Sequence, residues 1–185
     1  MPVEMRGAAF VSFFEGLSEL RGELAAARVR EALPGHLRVA LEGGAVSRVG
    51  WYPLKDYVAV HDACERTLGG GETLAFQLGR VTTDRDTRGL IRYVLALTSP
   101  DLLVRHADKV FGSYVRGPTM EVERVTGSHR FVVRWHKFYG TTPLFEAEWR
   151  GGITLLLEKA GAQGVEVVRR PELRPGDVTF EVNWA

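Results

Sequence analysis

Pro118 to Trp184 reads PTMEVERVTGSHRFVVRWHKFYGTTPLFEAEWRGGITLLLEKAGAQGVEVVRRPELRPGDVTFEVNW, and this stretch decides the fold. Met120 and Val122 alternate with Glu121 and Glu123. Phe131, Val133 and Trp135 alternate with Val132, Arg134 and His136, and Thr126-Gly127-Ser128 supplies a turn between the two runs. A period of two puts one side of each run inward and the other outward, so the pair reads as a half-buried hairpin. A helix is expected from about Pro143 to Ala160, with Gly161 ending it. Two further strands follow, Gly164 to Arg169 and Val178 to Trp184, the last placing Val178, Phe180, Val182 and Trp184 on one face. Leu144, Ala147, Gly151 and Leu155 are expected to lie against that sheet, the small residues allowing close approach.

Upstream the pattern is helical. Phe10, Phe13, Phe14, Leu17, Leu20 and Leu24 recur at three- and four-residue steps, with a break expected near Gly22. Ala25 to Leu33 and His36 to Glu42 continue as helix. Met1 to Gly7 reads as a small strand or a frayed end. Trp51-Tyr52-Pro53 reads as extended chain, since the residue before proline avoids the helical region. A helix over Leu54 to Leu68 carries Tyr57, Val58, His61 and Cys64 on one side. Glu72 to Leu97 is charged and helical, with a junction expected at Thr82-Thr83-Asp84. Ser99-Pro100-Asp101 starts another helix by a cap followed by proline, and it is expected to run to Arg116. The reading is a single α+β domain over residues 1–185. Residues 1–116 form a helical lobe. Residues 117–185 form an α+β lobe in which one helix crosses a four-stranded antiparallel sheet in the order ββαββ.

Composition narrows the function classes. The 185 residues carry a formal net charge of +1, which predicts no bulk attraction to nucleic acid or to an anionic membrane. A single cysteine, Cys64, rules out an intramolecular disulfide and fits a cytoplasmic setting. No apolar run approaches the roughly 18 residues a membrane helix needs. No complete catalytic set is present. Gly69-Gly70-Gly71 lacks the Lys-Ser or Lys-Thr of a P-loop, no Gly-x-Ser-x-Gly elbow exists, and the His61–Cys64 spacing arises easily by chance. Asp84-Arg85-Asp86 with Arg88 reads as a solvated, ion-paired helix face.

Several short motifs carry a family resemblance. Gly50-Trp51-Tyr52-Pro53 before a helix is one, and Met120-Glu121-Val122-Glu123-Arg124-Val125 is another. The remainder are Ala160-Gly161-Ala162 before Val165-Glu166-Val167, and Pro175-Gly176-Asp177 before Phe180-Glu181-Val182-Asn183-Trp184. Together they resemble a Myxococcales-restricted paralogous family of unknown function. The layout is more distantly similar to the haem nitric-oxide/oxygen-binding (H-NOX-like) fold and to four-vinyl-reductase-type ligand-binding domains. Members of those groups bind haem or small apolar and aromatic molecules between helices and sheet.

The resemblance implies a place for His106, which stands where the sensor family has its haem-ligating histidine. It also implies a Tyr-x-Ser-x-Arg clasp for the haem propionates. Trp135-His136-Lys137-Phe138-Tyr139 occupies that region here, without the serine or the arginine. Four-vinyl-reductase-type sensors place cysteines near a Gly-Asp turn, and none accompanies Gly176-Asp177. The expectation is therefore no haem and no zinc. The aromatic residues point instead to a small apolar or aromatic ligand held between helices and sheet, with His106, Trp135, Tyr139, Trp149 and Trp51 as its walls. This describes a non-enzymatic sensory module of a bacterial signalling system. The alternative is a protein-interaction or scaffolding domain with a filled core.

Overall fold

The computed structural model describes residues 2–88, 98–125 and 128–185. The turn expected at Thr126-Gly127 and the end of the helix expected to reach Leu97 lie outside these. Strand β1 (Glu4–Arg6) runs directly into helix α1 (Gly7–Arg21), followed by α2 (Glu23–Glu31) and α3 (Gly35–Glu42). Strand β2 (Trp51–Pro53) leads into α4 (Leu54–Leu68) and α5 (Gly71–Asp86). After Ser99 come α6 (Pro100–Arg105), α7 (Ala107–Gly112) and β3 (Val115–Arg116). Strands β4 (Thr119–Val125) and β5 (Arg130–His136), helix α8 (Pro143–Lys159), and strands β6 (Glu166–Arg170) and β7 (Val178–Asn183) complete the chain.

The β4, β5, β6 and β7 strands form an antiparallel sheet in the order β4-β5-β7-β6. Its register sets Phe131 opposite Val182, Val133 opposite Phe180 and Trp135 opposite Val178, so the residues that alternate inward on β5 meet those of β7. All six are buried. On the other face Glu181 accepts from Arg130 and Arg170, and these two cations hold its carboxyl below the usual range. A second, three-stranded sheet has the order β2-β1-β3. The N-terminal residues therefore form a central strand, Met5 pairing with Tyr52 on one side and Val115 on the other.

Three expectations about the helices are corrected. α5 runs unbroken through Thr82-Thr83-Asp84. The threonine hydroxyls bond back into the helix, Thr82 to the Gly79 carbonyl at 3.2 Å and Thr87 to the Thr83 carbonyl at 2.6 Å, so they do not cap a new one. The helix starting at Pro100 is capped as expected, Ser99 Oγ accepting from Leu102 N at 3.2 Å, but it breaks at His106 and stops at Gly112. Residues 115–116 leave it to pair with β1.

The third correction concerns α8. Gly151 faces α5, where a Cβ would lie 2.0 Å from the Phe76 carbonyl oxygen. Gly79 of α5 answers it, since its Cβ would lie 1.8 Å from the Glu148 carbonyl oxygen. The two backbones touch because neither glycine has a side chain. The sheet meets a different stripe of α8, which includes Ile153 and Leu157 close to Val133 and Val182. Gly79→Ala gains helix propensity of about 1 kcal/mol but forces the helices apart at a backbone contact. It is expected to cost a net ~1–3 kcal/mol by overpacking, read as a lowered Tm, whereas an equal or higher Tm would contradict the crossing.

Candidate functional site

The α5–α8 crossing delivers Glu148 into the interior, where the residue is 6% exposed. Tyr57 and His61, one helical turn apart on α4, receive it. Tyr57 Oη lies 2.8 and 2.9 Å from the two carboxylate oxygens, and His61 Nε2 lies 2.9 Å from Oε2. A carboxylate only accepts, so the phenol and the imidazole both donate to it. Burial, and next the Glu148 charge, push the Tyr57 phenol well above its ordinary pKa, which keeps it a donor. Removing a partner from such a buried charged group typically costs about 3–5 kcal/mol.

A second polar cluster forms at the end of α5. Asp86 Oδ1 accepts from Ser12 Oγ at 2.7 Å, and Oδ2 from Tyr114 Oη at 2.8 Å. Burial and the Asp86 charge raise the Tyr114 phenol as well. The neighbouring Arg85 turns outward, pairing with Glu15 and Glu19, while Asp84 pairs with Lys159 and Arg88. The acidic-basic run is thus a solvated face except at Asp86.

Between the two clusters lies a cavity of about 290 Å³. Its apolar wall includes Met5, Ala9, Leu103, Phe111, Trp149 and Ile153, and Asp86 and Glu148 are among its lining residues. It is bounded by β1 and helices α1, α4, α5, α6, α7 and α8, so it is a pocket among helices. The space expected between the His106 helix and the sheet holds a cavity of only about 30 Å³, bounded by residues such as Val104, Val133 and Val182. That is the order of one water molecule. Aromatic rings fill this boundary. Trp135 is 3% exposed and packs edge-on against Phe111, Trp149 and Phe180 at centroid distances of 5.3–5.6 Å.

Of the five residues expected to wall a ligand site, Trp149 lines the cavity. Trp135 sits behind it in the filled core. His106 is exposed, because the chain breaks there between α6 and α7. Tyr139 is 59% exposed. Lys137 takes a left-handed backbone conformation (φ 60°), which turns Phe138 into the core and carries Tyr139 past it. Trp51 lies between the guanidinium groups of Arg6 and Arg116, at 4.9 and 4.6 Å from the ring centroid, and is a cation–π element beside the small sheet. Tyr57, His61, Asp86, Ser12, Tyr114 and Glu148 were not anticipated as site residues. The sequence carries one pertinent sign. Glu148 shares its helix face with Gly151, so an acid stands where a small residue marks close packing.

A haem does not fit these residues. It needs an axial ligand and a clasp for its propionates. None of the five histidines lines the cavity among the described residues, and His61 already bonds Glu148. Asp86 and Glu148 present negative charge where propionates would need cations. No three His, Cys, Asp or Glu side chains among the described residues are grouped to hold a metal ion. Burial pushes the Cys64 thiol up to about 11, which makes it inert packing.

No family model matches the sequence, and no curated protein matches it. Solved structures do match in shape. The chain superposes on the Fe(II) unliganded H-NOX protein from K. algicida with a TM-score of 0.70 at 13% identity, covering 98% of this chain and 97% of that one. It superposes on the IWP-051-bound H-NOX from Shewanella woodyi in the Fe(II)CO state with a TM-score of 0.70 at 15% identity, covering 98% and 95%. The fold is therefore H-NOX-like, an α+β arrangement of helices and antiparallel sheet.

Two expectations follow from this geometry. Trp135→Ala empties part of a filled core and is expected to destabilise by about 3–5 kcal/mol, measured by denaturant unfolding; a loss below about 1 kcal/mol would show that the ring is not packed as described. The second concerns His136, whose Nδ1 lies 3.0 Å from Asp177 and whose Nε2 lies 3.3 Å from Glu121. The Asp177 bond first, then the Glu121 bond, raise its pKa above the ordinary 6.5. The unfolded chain lacks both partners, so the protonated imidazole favours the folded state. That contribution is complete below pH 6.5 and disappears as pH rises through the higher folded-state pKa. The Tm advantage of the wild type over His136→Gln should therefore shrink as pH is raised from about 6 to about 8, and a constant difference would contradict it.

Proposed function

We propose that this protein is a non-enzymatic small-molecule-binding module, with its ligand site in the cavity among the helices. A single observation carries the reading: a partly open, mostly apolar pocket with a few fixed polar groups, which is the usual make-up of a ligand site. Cores are normally packed without such voids, and the adjoining helix–sheet boundary of this chain is. The likeness to H-NOX domains supports a sensory role in a bacterial signalling system, with the ligand state passed to a protein partner. Among the described lining residues no reacting set is grouped: Tyr57 and Tyr114 are held protonated, and the Cys64 thiol lies outside the cavity.

The ligand is a compact molecule with an apolar or aromatic body, placed against Trp149, Phe111 and Ile153. Binding to the folded state alone stabilises it by about 2.7 kcal/mol at a ligand concentration roughly a hundred times Kd. Thermal-shift screening of small aromatic compounds is expected to find ligands that raise Tm in a saturable way. Ala9→Leu, which lengthens a side chain at the cavity wall, should abolish that rise without unfolding the protein. A rise that survives Ala9→Leu undiminished, or a panel in which no compound raises Tm, would overturn the reading.

A further inference from the structure

The side chains around the cavity have their protons committed to the protein itself. Ser12 and Tyr114 donate to Asp86, and Tyr57 donates to Glu148. Thr82 donates to the Gly79 carbonyl, Thr87 to that of Thr83, and Ser113 to that of Val110. Among the described lining residues this leaves the Thr83 hydroxyl and the Trp149 indole as side-chain groups with a proton not already given to a neighbour. The acceptor side is the reverse. Two acidic residues, Asp86 and Glu148, line the cavity, and each carboxylate has lone pairs beyond those its partners occupy. No lysine or arginine lines it among the described residues.

A mostly apolar pocket lined by two acidic residues, with no lysine or arginine among the described lining residues, favours positive charge and disfavours an anion. The wall adds a second preference of the same sign. Phe111 stacks on Trp149 at 4.9 Å and 28°, and Tyr57 and Tyr114 complete an aromatic surround. The π faces of such rings attract cations. We propose that the ligand is an organic ammonium: an aromatic or apolar body carrying an amine that donates to Asp86 and Glu148.

This assignment rests on the cavity being the ligand site argued above, and the test separates the two claims. Three compounds of one shape, 2-phenylethylamine, 2-phenylethanol and 3-phenylpropionate, are titrated into the intact protein by calorimetry near neutral pH. The amine is expected to bind about tenfold or more tightly than the alcohol, the scale of a hydrogen bond to a charged group, and the carboxylate more weakly than either. Asp86→Asn keeps the side-chain shape and is expected to reduce the preference of amine over alcohol by about tenfold. Glu148→Gln, checked for folding by circular dichroism, should act in the same direction. Alcohol or carboxylate binding as tightly as the amine would overturn the ligand class and leave the cavity as a site. A wild-type preference that persists unchanged in folded Asp86→Asn would overturn the ligand class in the same way. Absence of binding by all three would overturn this assignment, while small neutral aromatics in the thermal screen would still decide the cavity itself.

Discussion

The contact between α5 and α8 at Gly79 and Gly151 is the constraint on which the rest depends. Backbone oxygen meets backbone carbon there, and a methyl group would fall within 2.0 Å of a carbonyl oxygen on either side. Two helices in such contact cannot slide or rotate independently. Because the contact on α8 is the Glu148 carbonyl itself, the crossing also fixes where the Glu148 side chain begins. A carboxylate carried inside in this way must find donors, since an unpaired buried charge costs several kcal/mol. Tyr57 and His61 provide them from α4. The crossing and this triad together tie α4, α5 and α8 into one unit, with Phe13 of α1 packed edge-on against both rings.

The same geometry explains why the chain is filled in one place and open in another. On the sheet side of α8, large rings interleave: Trp135, Phe138, Phe145, Trp149 and Phe180 contact one another at 5.1–6.5 Å. On the other side, the glycines bring α5 and α8 together while Ala9, Ser12, Thr82, Thr83 and Gly152 offer only small side chains. The volume not filled there is the cavity. Its carboxylates are stabilised by their own donors, so the chemistry it presents to a ligand is acceptor-rich.

The sheet was readable in the sequence because its signal is local. Alternation in Phe131 to Trp135 and in Val178 to Val182 placed both inner faces correctly. The helix cap at Ser99 is readable for the same reason, since cap and proline adjoin in the chain. The site was not, because it is made by long-range pairs. Tyr57 meets Glu148 across 91 positions, and Ser12 meets Asp86 across 74. Gly151 reads as a close-approach residue in the sequence, yet the backbone it approaches is that of α5 and not the sheet. Helical spacing shows which residues share a face and does not say what the face meets. His106 misled for a related reason: its helical spacing with Leu102, Leu103 and Val110 holds only if the helix is continuous, and the chain breaks there.

The H-NOX-like fold thus reappears with a pocket whose residues do not suit a haem, and fold alone does not carry function. The central claim is that the open volume lies among the helices, beside Trp149 and Ile153, and not between helices and sheet. Xenon enters dry apolar cavities and marks them in diffraction. A crystal pressurised with xenon should therefore show it bound beside Trp149, Phe111 and Ile153, with the boundary around Trp135 empty of it. Xenon lodged against Trp135 and Phe180, or none within the helical cavity, would contradict the account.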